Sequence, residues 1–378
     1  NMSLKKILSF ITIGIFLAAL IAIILSFKGG SGVGKSDIGA IIGKGLKYKV
    51  YNEFQELSTK ITSTSSKRDF DRSREPAQRE RTLLTDIKGV IYKNKKFRND
   101  IRFSGNSGYV ENEYKNFLLK DDARIESEEV TLSSDRFFME GSSLISNKSR
   151  TEFKLKNLKG IARKGISYHM ELGVINLLKA SGTYIKSGKE YHFKCNRLMV
   201  LNKFTRVVFK GNAHIQSDDS TMRGKEIILR FNKDFKKLNR TDIRGKGYFY
   251  TKGDKKGEFR ELMGNKIIAE FDKNENVRKI DVSKNGIVNL NSNENKLKAE
   301  SNLIYIRFDH ISKKLMNVKL MRNGNINVTG KRPFNISSRR IRVLYNKEGE
   351  IENCNTHGKT EFTMSKYSGN CQQLNYYP

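Results

Sequence analysis

Ile227-Ile228-Leu229-Arg230-Phe231-Asn232 reads as a strand running into a turn, and the chain repeats it. The echoes are Ile267-Ile268-Ala269-Glu270-Phe271-Asp272, Leu303-Ile304-Tyr305-Ile306-Arg307-Phe308-Asp309 and Ile341-Arg342-Val343-Leu344-Tyr345-Asn346. From aromatic to aromatic the steps are 40, 37 and 37 residues. Four places before each aromatic stands an isoleucine: Ile227, Ile267, Ile304 or Ile341. Two places before it stands Leu229, Ala269, Ile306 or Val343. The position just before it is Arg230, Glu270, Arg307 or Leu344, so one parity is apolar and the other mostly polar. A period of two means a strand with one buried face. Its return at a near-fixed interval means stacked β-units, none able to bury its apolar face alone.

The flanks show how a unit is built. Each aromatic is followed by turn formers: Asn232, Asp272, Asp309 and Asn346. Asn, Asp and Gly suit tight hairpins because they tolerate unusual backbone angles. A return strand follows, as at Val277, Ile280 and Val282 or Leu315, Val318 and Leu320. A glycine is then expected to close the unit: Gly247, Gly286, Gly324 or Gly358. Seven residues before each aromatic sits Gly224, Gly264, Ser301 or Ser338, small enough for a sharp bend or close packing. Met199-Val200-Leu201-Asn202 reads as a weaker copy. From Leu83 onward, short β-prone runs alternate with turns, and amphipathic helices are hard to find. The fold class expected is all-β.

Ile7 to Phe27 is an apolar run of one bilayer's length, about 30 Å as a helix. It exceeds the apolar region of a signal peptide, and no small-x-small site follows it before Lys28. One uncleaved N-terminal transmembrane helix is expected, with a cleaved signal as the other reading. The domain plan is an anchor over 1–28, a flexible juxtamembrane linker over 29–82, and β-rich bodies over 83–210 and 211–378. The linker reading rests on the Gly-Ser stretch after the anchor and on polar, mixed-charge residues 58–82, which favour disorder or a solvated helix. Gly29-Gly30-Ser31-Gly32-Val33-Gly34-Lys35-Ser36 matches the P-loop pattern. A P-loop needs a buried strand before it and a helix after it. Here a membrane span precedes it, so nucleotide binding is set aside.

With 72 Lys+Arg against 40 Asp+Glu, the net charge is +32, which suits an anionic partner or reflects a codon bias toward Lys, Asn and Ile. Nucleic-acid binding would rest on that charge alone, since no recognition motif accompanies it. Of the three cysteines, Cys354 and Cys371 could join in an oxidising compartment, but isolated thiols are the plainer reading. The five histidines are scattered, and neither HExxH nor GxSxG occurs. No enzyme activity, metal or cofactor is expected.

The anchor and hairpin ladder resemble the lipopolysaccharide-export bridge proteins. Gly89-Val90-Ile91-Tyr92-Lys93-Asn94 and Leu119-Lys120-Asp121-Asp122-Ala123-Arg124-Ile125-Glu126-Ser127 look like the membrane-anchored LptC-like type. Gly211-Asn212-Ala213-His214-Ile215-Gln216 and Met222-Arg223-Gly224-Lys225-Glu226-Ile227 look like the soluble LptA or OstA-like type. The chain looks like both in tandem, LptC-like over 83–210 and LptA/OstA-like over 211–378. The resemblance implies an elongated open β-jellyroll with a V-shaped trough for acyl chains. It implies lipopolysaccharide as cargo and an inner-membrane ABC transporter complex as source. It also implies a periplasmic or outer-membrane β-jellyroll partner joined by edge-strand pairing. The protein would sit as a single-pass inner-membrane protein with its C-terminal body in the periplasm, serving outer-membrane biogenesis.

The expected lipid-binding lining is Ile227, Leu229, Phe231, Ile267, Ala269, Phe271, Ile304, Ile306, Phe308, Ile341, Val343 and Tyr345. Arg230, Arg307, Lys319 and Arg322 could meet lipid phosphates at the rim or stand as solvated charges. A buried strand face looks the same against lipid as against another sheet. The competing function is therefore a cell-envelope β-repeat scaffold or adhesin that binds protein or polysaccharide.

Overall fold

Alternating burial along each repeat makes it a strand, and among the described residues one strand follows the next in a single antiparallel sheet of 23. The computed structural model describes residues 42–51, 57–70, 80–92, 100–111, 116–186, 188–201, 204–232, 236–253, 257–291, 295–309, 311–312, 314–331, 333–347, 351–364 and 366–377. The anchor run from Ile7 and the P-loop-like stretch lie outside the described residues. Among the described residues, no helix is long and apolar enough to cross a membrane.

The first strands are β1 (Ile42–Tyr51), β2 (Leu57–Phe70), β3 (Glu80–Ile91), β4 (Ile101–Glu111), β5 (Asn116–Glu126) and β6 (Val130–Glu140). Four short ones follow: β7 (Ser143–Asn147), β8 (Thr151–Leu155), β9 (Leu158–Ala162) and β10 (Gly165–His169). Then come β11 (Val174–Lys186), β12 (Lys189–Leu201), β13 (Arg206–Gln216), β14 (Ser220–Phe231), β15 (Leu238–Lys252) and β16 (Phe259–Phe271). The ladder ends with β17 (Val277–Asn291), β18 (Asn295–Phe308), β19 (Leu315–Gly330), β20 (Phe334–Tyr345), β21 (Ile351–Met364), β22 (Tyr367–Cys371) and β23 (Asn375–Tyr376). The short strands are halves of bent ones: β7 and β8 both pair with β6, β9 and β10 with β11, β22 and β23 with β21.

Each long strand is two half-strands joined at a corner. The register slips there in pair after pair, between Arg223 and Glu226, Arg244 and Gly247, Ser283 and Gly286, and Met321 and Gly324. One strand spends one residue more than its neighbour, the mark of a β-bulge, which bends the chain. The longer route contains two consecutive residues of positive φ: Gly211-Asn212, Gly245-Lys246, Lys284-Asn285 and Arg322-Asn323. The shorter route turns on Gly224, Gly264, Ser301 or Ser338, which face Ala213, Gly247, Gly286 and Gly324 across the ladder. Backbones approach closely enough here that a Cβ on Gly264 would stand 2.7 Å from Val282 Cγ1. The Ser301 hydroxyl donates to the Met321 carbonyl at 2.7 Å, supplying a partner where the ladder slips. The glycines expected to close each unit therefore bend its strand in the middle.

After Phe271 and Phe308 the expected turn former accepts hydrogen bonds from the backbone that follows it. The Asp272 carboxylate accepts from the Asn274 and Asn276 amides at 2.8 and 3.0 Å. Asp309 does the same for Ile311 and Ser312.

Two expectations about organisation meet a different structure. Part of the expected linker is strand: β2 pairs with β1 on one side and β3 on the other. Its Ile61 is fully buried, and its Ser and Thr residues suit an extended ribbon once a neighbouring strand takes up their backbone groups. The boundary expected at 210/211 falls inside β13, where pairing on both sides continues past it. Residues 42–378 are one unit.

Candidate functional site

The corners fold the sheet into two walls whose apolar faces look at each other. On the first wall, one row of directly opposed residues runs Leu177, Leu198, Phe209, Ile227, Ile243, Ile267, Val282, Ile304, Leu320, Ile341. The next row includes Val200, Val207, Leu229, Thr241, Ala269, Ile280, Ile306, Val318, Val343 and Cys354. At the hairpin rim Phe231, Phe271, Phe308 and Tyr345 face Leu238, Val277, Leu315 and Ile351. All twelve expected lining residues thus share one inner face.

Sequence reasoning missed the second wall. Its row runs Phe193, Ile215, Met222, Phe249, Leu262, Val288, Ala299, Ile326, Ile336, Phe362. A signal was present. Met222 to Ile227, Leu262 to Ile267, Ala299 to Ile304 and Ile336 to Ile341 are each five residues apart. An odd spacing between two inward residues is what a bulge produces, and simple alternation hides it.

The walls touch. Phe193 and Phe209 meet edge-on with centroids 5.2 Å apart, Phe103 and Phe117 at 5.9 Å. At the rim Tyr184 meets Phe231 at 6.1 Å. Lys186 Nζ lies 5.3 Å above the Phe271 ring and 3.4 Å from Glu275. Phe334 and Tyr376 close the far end at 5.4 Å. Ile227, Leu229, Phe231, Ile267, Ile304, Ile306, Ile341 and Val343 are buried, while Ala269, Phe271, Phe308 and Tyr345 are half-buried.

From Met222 onward the seam is less tightly shut. Met222, Phe249, Phe271, Val277, Leu290, Leu297, Phe308, Leu315, Tyr345, Ile351 and Phe362 all pack on the core yet stay partly exposed. Burial pushes the thiols of Cys195 and Cys354 up to about 12. The Tyr345 hydroxyl is also raised, mainly by burial. All three cysteines are free.

Charge collects on the outer face. Asp242, with no exposed side-chain surface, sits among Arg240 at 2.6 Å, Arg244 at 3.2 Å and Arg230 at 3.6 Å. Asp281 holds Lys279 at 2.8 Å and Arg307 at 2.9 Å. Arg230 and Arg307 are therefore already engaged by carboxylates. Among the described residues, no group of three or more His, Cys, Asp or Glu is placed to hold a metal ion.

No protein-family model matches this chain, and no curated protein does. Among solved structures it is similar to LptH from Pseudomonas aeruginosa, described as the LptA-homologous periplasmic component of the lipopolysaccharide transport device. The match has a TM-score of 0.27 and 13% identity, and covers 33% of this chain and 79% of that one.

Proposed function

We propose that this chain is a non-enzymatic lipid-transport protein of the cell envelope. It carries lipopolysaccharide between its two apolar walls, from an inner-membrane ABC transporter toward the outer membrane. The N-terminal run anchors it in the inner membrane, and the body stands in the periplasm. The observation that carries this reading is the long apolar seam between the walls, in which residues such as Met222, Phe249, Phe271, Phe308, Tyr345 and Tyr376 stay partly exposed. A core built only for stability would bury such residues. Sliding transport needs weak contacts repeated along a path, each worth about 25 cal/mol per Å² buried, with no deep trap. In the closed state the cross-wall aromatic contacts occupy that path, so acyl chains enter by replacing them. The terminal strands offer docking sites for a β-jellyroll partner by strand addition, since among the described residues β1 pairs only with β2, and β22 and β23 only with β21.

Photo-crosslinkers at Phe271 and Phe308 should capture lipopolysaccharide in cells, and ones at outward Glu270 and Lys279 should capture far less. Equal capture on both faces would overturn the conduit. The touching walls favour a second reading, an envelope scaffold or adhesin with a permanently closed core. On that reading lipid would not copurify, and cysteines placed at Phe271 and Phe308 would resist thiol reagents whether or not lipid is supplied.

A further inference from the structure

The outer face changes character between β17 and β19. Around Asp242 and Asp281 the cations are matched by carboxylates. Farther along the same outer row stand Lys319 and Arg342, directly opposed on adjacent strands. Like charges in that relation repel. Arg340 lies close by, opposite His357. Among the described residues, none of these three cations has a carboxylate partner.

They line a concavity of about 520 Å³ with Tyr305, Arg307 and Asn317. Asn317 adds an independent observation. It is only 7% exposed, and its Oδ1 has no hydrogen-bond partner. A buried amide oxygen left so requires a donor. Arg307 lies over the Tyr305 ring at 5.4 Å, which fixes one wall of the hollow. Converging cations call for an anion, and the orphaned acceptor calls for an O–H or N–H on the same molecule. The volume lies in the range of small-molecule sites.

We infer that this concavity binds a sugar phosphate group, with the phosphate between Lys319, Arg340 and Arg342 and a sugar hydroxyl donating to Asn317 Oδ1. The site lies on the outer face, so it stands or falls independently of the conduit between the walls. A phosphorylated sugar could come from a soluble saccharide or from a glycolipid head group.

The test uses the full chain in non-ionic detergent at fixed ionic strength. One arm titrates glucose 6-phosphate against inorganic phosphate. The other measures cosedimentation with phosphatidylcholine vesicles carrying a phosphorylated glycolipid. Saturable binding of glucose 6-phosphate, tighter than that of inorganic phosphate, is expected. K319Q/R342Q should weaken it about tenfold or more, since two charge-assisted contacts are lost. K194Q/K252Q removes the same net charge from exposed positions elsewhere and should change it less than about twofold. N317A should erase the preference for the sugar ester over inorganic phosphate. Thermal unfolding of each variant verifies that it is folded. Binding in the soluble arm assigns a saccharide source, and binding confined to vesicles and lost in K319Q/R342Q assigns a glycolipid. No saturable binding in either arm, or equal loss in the charge-matched control, overturns the site.

Discussion

Replacing Gly324 by Ala tests whether the corners are set by close approach or by backbone freedom. Gly324 is not among the glycines of positive φ, so an alanine there carries no left-handed strain. Its new Cβ would stand 2.7 Å from Leu320 Cβ, 3.3 Å from Leu320 Cδ2 and 3.4 Å from Ile341 Cδ1. Carbon pairs are comfortable at about 3.5–4.0 Å, so the first contact is almost an ångström too tight. Overpacking of that kind costs about 1–3 kcal/mol. Alanine also restricts the unfolded chain, which returns about 0.4–1 kcal/mol. A net loss of about 1–2 kcal/mol is expected. Trimming Leu320 to Ala should not relieve it, because the offending atom is Leu320 Cβ itself.

Gly286 supplies the contrast. A Cβ there would meet Ile304 Cδ1 at 3.2 Å, an atom that I304V removes. The cycle of G286A with I304V should therefore show a favourable coupling of about 0.5 kcal/mol or more. Urea denaturation of each variant, with hydrogen exchange read at the amides of β17 to β20, measures both quantities. A neutral G324A, or full rescue by L320A, would refute the close-approach account of the corner.

Other outcomes follow from the outer face and the buried acids. D242N should destabilise the body by about 2–3 kcal/mol, less than a fully buried pair would cost because its three arginines are partly exposed; denaturation at 0.1 and 1 M salt should show a smaller penalty at high salt. Cys195 and Cys354 should resist iodoacetamide at pH 8 while half-buried Cys371 reacts, as peptide mass spectrometry would show. Their folded pKa values are raised by burial from 9.0 to about 12, so the folded form holds its protons longer. That contribution is whole below pH 9 and is lost as pH rises from 9 toward 12. Tyr168, also raised to about 12, adds to the same slope. A denaturation series across that window should show falling stability, more shallowly in C354A.

Much of the ladder could be read from the chain because its signal is local. Alternation around Ile227, Ile267, Ile304 and Ile341 identifies strands, and Asp272 or Asp309 marks where they turn. The second wall was hidden because parity inverts at the bulge, so Leu262 and Ile267 look like residues of opposite faces. The role of Gly247 and Gly286 was misread for a related reason: a glycine after an apolar run suggests an ending, and only the pairing partners Gly264 and Ser301 reveal a mid-strand bend. Residues 57–70 went unrecognised because Ser and Thr tolerate both coil and ribbon, and only the neighbours β1 and β3 decide between them. Which cations are matched was equally out of reach. Asp242 and Arg230 are twelve positions apart in sequence and adjacent only across the ladder.

The repeat also works as a ruler. Each 37-residue step adds two bent strands, and adjacent strands lie about 4.8 Å apart, so one step lengthens the body by about 9.6 Å. Each corner is completed by its immediate neighbours, so a copy of 37 residues can be inserted or excised without redesigning the cross-section. Reach is thus a quantity that gene duplication can adjust in fixed increments, much as links are added to a chain.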